Sequence, residues 1–237
     1  MMRKVPVLEI FGPTIQGEGM TIGRKTLFVR TAGCDYSCSW CDSAFTWDGS
    51  QRPTMMTAPE IMERLMALGL ARTMHVTLSG GNPLLHASLG ELVEALKAMG
   101  VTLTVETQAS IWQDWLLRID DVTLSPKPPS SGMTTDLAVL DCWVERLQTH
   151  SFSMKIVVFD DADYAFVKLL YVRYPNVTFY VQPGNADTTA QDEQATAMAL
   201  LKRYEWLIDK VNTCDVLKKI YVLPQLHALV WGNRQGV

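Results

Sequence analysis

The segment KTLFVRTAGCDYSCSWC, residues 25–41, joins an apolar run to three closely spaced cysteines. Residues 25–33 are rich in β-branched and aromatic side chains and end at a glycine, which is typical of a strand buried on both faces. The cysteines follow at once, as Cys34, Cys38 and Cys41 in a C-x3-C-x2-C pattern. The segment therefore predicts a buried strand that leads directly into a loop of thiols.

Strands and helices alternate along the rest of the chain. Six more apolar runs bounded by Gly, Pro, Asp or Asn predict strands over residues 74–81, 101–107, 120–126, 153–160, 177–184 and 219–225. Amphipathic segments predict helices over residues 57–69, 88–100, 133–147, 161–174 and 190–210. This alternation is typical of a parallel sheet with right-handed crossovers.

The length of the chain bears on the choice between two parallel-sheet architectures. About six strand–helix units fit either an open doubly wound sheet or an incomplete barrel. A complete eight-unit barrel needs about 250 residues, and this chain has 237, of which 34–56 form a long predicted loop. We therefore predict an α/β fold built as an incomplete, TIM-like barrel, with function at the carboxyl ends of its strands.

Composition excludes several classes of protein. The net charge of −4 gives no basic surface for nucleic acid. No apolar run reaches the roughly 18 residues of a membrane span, and the first residues, MMRKVPVLEIFG, lack the apolar run of a signal peptide. These features predict a cytoplasmic protein with neither a nucleic-acid nor a membrane partner.

Three clustered thiols in a reducing compartment indicate metal or redox chemistry. Zinc would need a second Cys or His pair about 12–20 residues downstream, and none is present. A redox dithiol would use Cys38 and Cys41 and leave Cys34 idle. Three thiolates fit a 4Fe–4S cluster with one iron open to a substrate or cofactor. The remaining cysteines, Cys142 and Cys214, are expected to be small buried apolar residues.

Two motifs together resemble the radical S-adenosylmethionine (SAM) enzymes. The first is C-x3-C-x-aromatic-C, in which Trp40 is the aromatic residue, after the first predicted parallel strand. The second is SGGNP at 79–83, which resembles the G-G-E-P motif of that superfamily with Asn82 in place of glutamate. Glycine permits the close backbone approach that this motif makes to the methionine amino group. The resemblance implies a 4Fe–4S cluster and SAM as cofactors.

The resemblance narrows to the 7-carboxy-7-deazaguanine synthase family. It is carried by EIFGPTIQGEG (9–19), FVR (28–30), VETQAS (105–110), LSPKPPS (124–130), YVQPGN (180–185) and PQLHALVWGNRQGV (224–237). These segments span the chain. They imply one radical SAM core domain over 1–237, with a substrate-binding segment at 1–24 and a cluster loop at 34–56.

The family resemblance also implies a reaction. Its members convert 6-carboxy-5,6,7,8-tetrahydropterin to 7-carboxy-7-deazaguanine and release ammonia, in queuosine and 7-deazapurine biosynthesis. SAM acts as a cofactor that is regenerated, Mg²⁺ assists, and flavodoxin or ferredoxin supplies the electron. A homodimer is implied in the same way.

Residue roles follow from the same resemblance, position by position. Cys34, Cys38 and Cys41 hold the cluster and, with Glu106, are the catalytic residues; Ser43 binds Mg²⁺. The substrate is contacted by Ile15, Gln16, Gly17, Glu18, Arg30, Ser79, Glu106, His227 and Val237. SAM is contacted by Gly81, Ser125, Pro126, Lys127, Gln182, Pro183, Gly184 and Asn185. Arg30 stands out independently, because a guanidinium in an apolar strand needs an anion.

Two other classes of protein remain open at this point. An activase that installs a glycyl radical on a partner protein is another radical enzyme of similar size, although the QGEG run at 16–19 and the lack of further cluster cysteines argue against it. A structural zinc or electron-transfer module would be no enzyme at all. Iron and sulfide content separates the second class, and turnover of a small pterin separates the first.

Overall fold

A computed structural model describes residues 3–237 as one mixed sheet surrounded by helices. Within these residues the strands are β1 (Lys4–Ile15), β2 (Lys25–Thr31), β3 (Thr54–Thr57), β4 (His75–Gly80), β5 (Thr102–Thr107), β6 (Asp121–Leu124), β7 (Phe152–Val158), β8 (Thr178–Pro183) and β9 (Ile220–Val222). The helices are α1 (Ala58–Ala67), α2 (Leu70–Thr73), α3 (Leu89–Ala98), α4 (Leu137–Leu147), α5 (Asp161–Arg173), α6 (Glu193–Asn212) and α7 (Leu226–Trp231).

The sheet confirms the predicted fold class. Its strand order is β3-β1-β2-β4-β5-β6-β7-β8-β9, and every pairing from β2 to β9 is parallel. These seven parallel strands are the seven that the sequence predicts. The sheet ends at β3 on one side and β9 on the other, so it is an incomplete barrel.

Two strands were not predicted. β1 pairs antiparallel with β2 and with β3. It runs through Gly12 and Pro13, where a register shift between Phe11 and Thr14 accommodates one extra residue as a bulge. The predicted substrate-binding segment 1–24 therefore consists mainly of strand β1. The predicted cluster loop 34–56 ends in β3. Residues 1 and 2 lie outside the described part.

The central strands separate an apolar face from a polar one. In β4, Val76 and Leu78 belong to the hydrophobic core that they share with Leu92 and Leu96 of α3, whereas Ser79 lines the interior cavity. The strands are thus buried on both faces, as predicted, but only the outer face is apolar. The polar inner face leaves room for chemistry.

Helix signals in the sequence are largely confirmed, and two other predictions need correction. Thr57 and Glu60 form the predicted capping box of α1.

Cys142, however, is exposed on α4 and Cys214 is only partly buried, so Cys142 is not a core residue. His227 lies in α7, after β9 has ended at Val222, and not at a strand end.

No helix in residues 3–237 combines the length and the apolar character that crossing a membrane requires.

The junction between β2 and β4 gives a first prediction. Gly80 pairs with Thr31 at a φ of 145°, and a Cβ at Gly80 would lie 2.3 Å from the Thr31 carbonyl oxygen. We expect Gly80→Ala to lower the free energy of unfolding by more than about 1 kcal/mol, because the backbone would have to shift. Urea unfolding of the metal-free protein measures this change.

Gly90→Ala in α3 is the matched control for this prediction. A Cβ at Gly90 would meet Trp115 at an ordinary 3.4 Å, and alanine favours helix over glycine. We expect this variant to be as stable as the wild type or more so. A Gly80→Ala variant as stable as Gly90→Ala would contradict the tight junction.

Candidate functional site

A cavity of about 310 Å³ opens at the carboxyl ends of the parallel strands. It collects most of the residues that the sequence assigns to the site. Its lining includes Ile15, Gln16, Gly17, Glu18, Arg30, Cys34, Cys38, Cys41, Ser43, Ser79, Gly81, Glu106, Ser125, Lys127, Gly184, Asn185, His227 and Val237. Residues from both ends of the chain therefore meet around one space.

Three assigned residues, Pro126, Gln182 and Pro183, do not line the cavity. Gln182 is fully buried, and neither polar atom of its amide has a hydrogen-bond partner. The Oγ of Ser79 is unpartnered in the same way. Buried polar groups without partners are costly. Ser79 lines the cavity and fits a site that a polar ligand completes, whereas nothing in the structure explains the unpartnered amide of Gln182.

The three thiols lie in a half-buried loop on one side of the cavity. Burial raises the pKa of Cys34 and of Cys41, and it raises the pKa of Cys38 to about 11. Trp47 donates its Nε1–H to Cys41 Sγ at 3.5 Å, and Gln108 donates an amide N–H to Cys34 Sγ at 3.6 Å. Thiolates that receive such hydrogen bonds are the ligands of iron–sulfur clusters.

The spacing of the thiols is too wide for one zinc ion. Thiolates around one zinc lie roughly 3.8 Å apart, because Zn–S bonds of about 2.3 Å point to the corners of a tetrahedron. Among the described residues, ligand atoms of Glu18, Asp42 and His227 come within 4.8 Å of one another, but the three thiols do not form such a group. At least one pair of thiol sulfurs is therefore farther apart than 4.8 Å.

The backbone of β4 supports the first thiol. A Cβ at Gly81 would lie 2.2 Å from the Gly33 carbonyl oxygen and 2.7 Å from Cys34 Cβ, so only glycine allows this contact. Asn82, which stands where glutamate is expected, is fully buried and donates to Asp35 Oδ1 at 2.8 Å. Asn82 therefore holds the residue next to Cys34 and does not line the cavity.

A buried ion network forms the opposite side of the cavity. The Nζ of Lys155 lies 2.6 Å from Glu106 Oε1 and also forms an ion pair with Glu18. The Lys155 side chain is only 3% exposed, so its charge needs both partners. Gln225 donates to the other oxygen of Glu18 at 3.0 Å, and His227 Nδ1 lies 3.8 Å from that oxygen.

The network fixes the charges of its members. Burial opposes ionisation of Glu18, but the charge of Lys155, together with His227, outweighs it and lowers the pKa of Glu18 to about 2. Burial likewise opposes the charged form of Lys155, yet Glu106 and Glu18 raise the pKa of its ammonium group above the ordinary value. Glu18 and Lys155 are therefore held as a buried ion pair beside the cavity.

Within the protein, the guanidinium of Arg30 is already paired with an acidic side chain. Its Nε lies 2.8 Å from Glu9 Oε2, although the N–H direction makes this contact an ion pair and not a hydrogen bond. Another guanidinium nitrogen donates to Ser43 Oγ at 3.2 Å, and Ser43 donates to Asp42 Oδ1 at 3.0 Å. Glu9 therefore supplies the anion that was predicted for Arg30. Ser43 is hydrogen-bonded both to Arg30 and to the carboxylate of Asp42.

The C-terminal segment closes the cavity against the N-terminal one. Leu226 donates its backbone N–H to the Gly17 carbonyl at 3.0 Å. A Cβ at Gly17 would lie 2.7 Å from His227 Nδ1, so the two segments touch where glycine leaves space. This contact brings the predicted substrate residues 15–18 next to α7.

Lys127 follows β6 on the thiol side of the cavity. Its Nζ donates to Ser125 Oγ at 3.0 Å, and its backbone N–H donates to Thr135 Oγ1 at the same distance. Ser125 and Lys127 thus reach the cavity together, as their assignment requires, while the intervening Pro126 is turned away from it.

Lys155 is the main residue of the candidate site that the sequence prediction omitted. The signal was present, because Lys155 is the one charged residue within the apolar run SMKIVVF at 153–159. The same reasoning singled out Arg30 in its own strand. Asp35 and Gln108 were also omitted, and their contacts to the thiol loop depend on long-range packing.

The Glu18–Lys155 pair predicts a pH-dependent stability. The pKa of Glu18 falls from 4.5 in the unfolded chain to about 2 in the fold, so its ionised form stabilises the fold fully above about pH 5 and progressively less as the pH falls toward 2. Urea unfolding at several pH values should show the stability difference between the wild type and Glu18→Gln shrinking from pH 6 to pH 3. Exposed Glu63→Gln is the control, and a Glu18 difference that is constant over this range would contradict the pair.

Comparison with known proteins agrees with this geometry. Residues 28–125 match the model of the radical SAM superfamily. The crystal structure of QueE from Escherichia coli has the same fold, with a TM-score of 0.67 over 94% of this chain and 95% of that chain, at 21% identity.

Two curated relatives match over the whole length. A 7-carboxy-7-deazaguanine synthase of Bacillus cereus is 54% identical, and one of Bacillus subtilis is 52% identical; each alignment covers 100% of both chains. The chain therefore belongs to the 7-carboxy-7-deazaguanine synthase family of radical SAM enzymes.

Proposed function

We propose that this protein converts 6-carboxy-5,6,7,8-tetrahydropterin to 7-carboxy-7-deazaguanine and ammonia, in queuosine or 7-deazapurine biosynthesis. One observation carries the proposal: a buried carboxylate–ammonium–carboxylate network faces the cavity that the three thiols also line. The reaction removes one ammonia from the substrate without net oxidation. The reaction therefore suits a SAM-derived radical that is regenerated at the end of each turnover.

The thiol side would hold the cofactors. Cys34, Cys38 and Cys41 would bind a 4Fe–4S cluster, and their buried thiols would release their protons to solvent when the metal binds. Gly81, Ser125, Lys127, Gly184 and Asn185 would bind SAM around the open iron. Pro126, Gln182 and Pro183, which the resemblance also assigns to SAM, do not line the cavity. When bound, the cluster and SAM supply the radical that removes a hydrogen atom from the substrate.

The ion-network side would bind and orient the pterin. The ring presents several N–H donors on one edge, and Glu18 and Glu106 offer carboxylate oxygens in a fixed position. Backbone groups of residues 15–17, together with Ser79, His227 and Val237, would complete the contacts. Arg30, although paired with Glu9, has further N–H groups for the substrate carboxylate.

The oxygen atoms of Ser43 and neighbouring Asp42 support a Mg²⁺ site at the cavity, since Mg²⁺ prefers oxygen ligands and keeps several waters. The remaining assignments rest on family membership. They are a homodimer, a flavodoxin or ferredoxin as electron donor, action in the cytoplasm, and one domain with a substrate segment at 1–24 and a cluster loop at 34–56.

The direct test is an anaerobic assay. Protein with a reconstituted cluster is given reductant, Mg²⁺, SAM and 6-carboxytetrahydropterin, and the product is identified by mass. We expect 7-carboxy-7-deazaguanine and ammonia in equal amounts, without consumption of SAM. No product from a protein that carries four irons and four sulfides per chain would reject the substrate, and zinc in place of iron would reject the radical chemistry.

Lys155 supplies a test of the substrate side alone. Lys155→Met removes the ammonium group between Glu18 and Glu106 and leaves their carboxylates to repel each other. We expect kcat/KM to fall by at least about tenfold, in line with the loss of a charged hydrogen bond, while iron and sulfide content stays normal. Exposed Lys202→Met is the control, and an unchanged kcat/KM would show that the network does not serve the substrate.

A further inference from the structure

The two residues between Cys38 and Cys41 are bound to a turn from another part of the chain. That turn is Pro129–Ser131, and we call it the Ser130 turn. Ser39 donates its Oγ–H to the Ser130 carbonyl at 2.8 Å and its N–H to the Ser131 carbonyl at 3.0 Å. Trp40 donates its Nε1–H to Ser130 Oγ at 2.9 Å. Three hydrogen bonds thus join this part of the cluster loop to one turn.

Asp163, near the N-terminus of helix α5, holds the Ser130 turn in place. Asp163 Oδ1 accepts the Ser130 N–H at 2.9 Å, and Oδ2 accepts the Ser130 hydroxyl proton at 2.6 Å. A hydroxyl has one proton, so Ser130 Oγ gives that proton to Asp163 and presents a lone pair to Trp40. The orientation of the Trp40 indole therefore depends on the Asp163 carboxylate.

Asp163 also fixes the ring on which Trp40 packs. Its Oδ2 accepts the Phe159 backbone N–H at 2.8 Å. The Phe159 ring lies 5.0 Å from the Trp40 ring, and it fills the space above Gly184, where a Cβ would come within 2.0 Å of it. One carboxylate thus holds both surfaces that Trp40 contacts.

The contacts of Asp163 are unusual for a surface helix residue. The residue is fully buried, and it forms no ion pair with any described residue. Burying an unpaired carboxylate is costly unless donors surround it. Its three donors all lie outside α5, so the carboxylate joins α5 to the two segments that hold the cluster loop.

We propose that Asp163 is a positioning residue that fixes the separation of Cys38 and Cys41 through the Ser130 turn and Phe159. It does not line the cavity, so it acts on the cluster only through these contacts. The inference rests on the iron–sulfur cluster implied by family membership and is independent of the pterin substrate.

The test compares Asp163→Asn and Ser130→Ala with the wild type after anaerobic reconstitution. The rate of iron release to a chelator and the EPR spectrum of the reduced cluster are measured, with no substrate present. Loss of a hydrogen-bonding group behind metal ligands costs about 10–100-fold in affinity or activity. We expect iron release to be at least about tenfold faster in both variants, with shifted EPR g values.

Asp160→Asn is the matched control. Asp160 precedes α5 and accepts the Asp163 N–H at 2.9 Å, but it has no bond to the Ser130 turn. Asparagine caps a helix as well as aspartate does, so this variant should release iron at the wild-type rate. Trp40→Phe keeps the ring on Phe159 and removes the Nε1–H, and we expect a smaller increase in iron release than for Asp163→Asn.

The double variant Ser130→Ala with Asp163→Asn separates positioning from general loss of stability. If Asp163 acts in part through Ser130, the combined effect of the two substitutions is smaller than the product of the two single fold-changes. Each variant is compared below the melting temperature of its metal-free form. Wild-type iron release and EPR spectra in Asp163→Asn, or fully additive effects in the double variant, would overturn the proposal.

Discussion

The parallel pairing of β2 with β4 is the constraint on which the site depends. Thr31 is in register with Gly80, so the chain leaves both strands at the same height. The cysteine loop and the Gly80–Gly81 pair must then share a narrow space, and the approach of Gly81 to Cys34 leaves no room for a side chain. The position of the first thiol follows from strand register and not from the loop itself.

The two sides of the cavity differ in their chemistry. On one side, half-buried thiols are held by neutral donors such as Trp47 and Gln108. On the other side, Lys155 is nearly excluded from water and is satisfied only by Glu18 and Glu106. Low exposure strengthens the charge interactions on that side, which distinguishes it from the thiol loop.

The sequence predicted the seven parallel strands because each is a continuous apolar run between turn residues. It did not predict β1, since Gly12 and Pro13 interrupt the pattern and only the pairing with β2 and β3 shows that a bulge accommodates them. The exposure of Cys142 depends on which face of α4 packs inward, and the periodicity of the segment alone does not settle that for a single residue.

The candidate site was predictable where spacing carries the chemistry, as in the three cysteines and the glycine pair. It was less predictable where the environment of a residue depends on neighbours that only the fold brings next to it. Lys155 is the one charged residue in its apolar run, but only the fold shows that Glu18 and Glu106 lie beside it. Asn82 departs from the family pattern, and only its bond to Asp35 shows what it does here.

The central claim is that three thiolates leave one iron open toward the cavity, where SAM binds. EPR spectroscopy of the reduced protein before and after addition of SAM, with no substrate present, tests it most directly. The account predicts that SAM shifts the g values of the cluster, because the ligands of the open iron change. A spectrum that is identical with and without saturating SAM would contradict it.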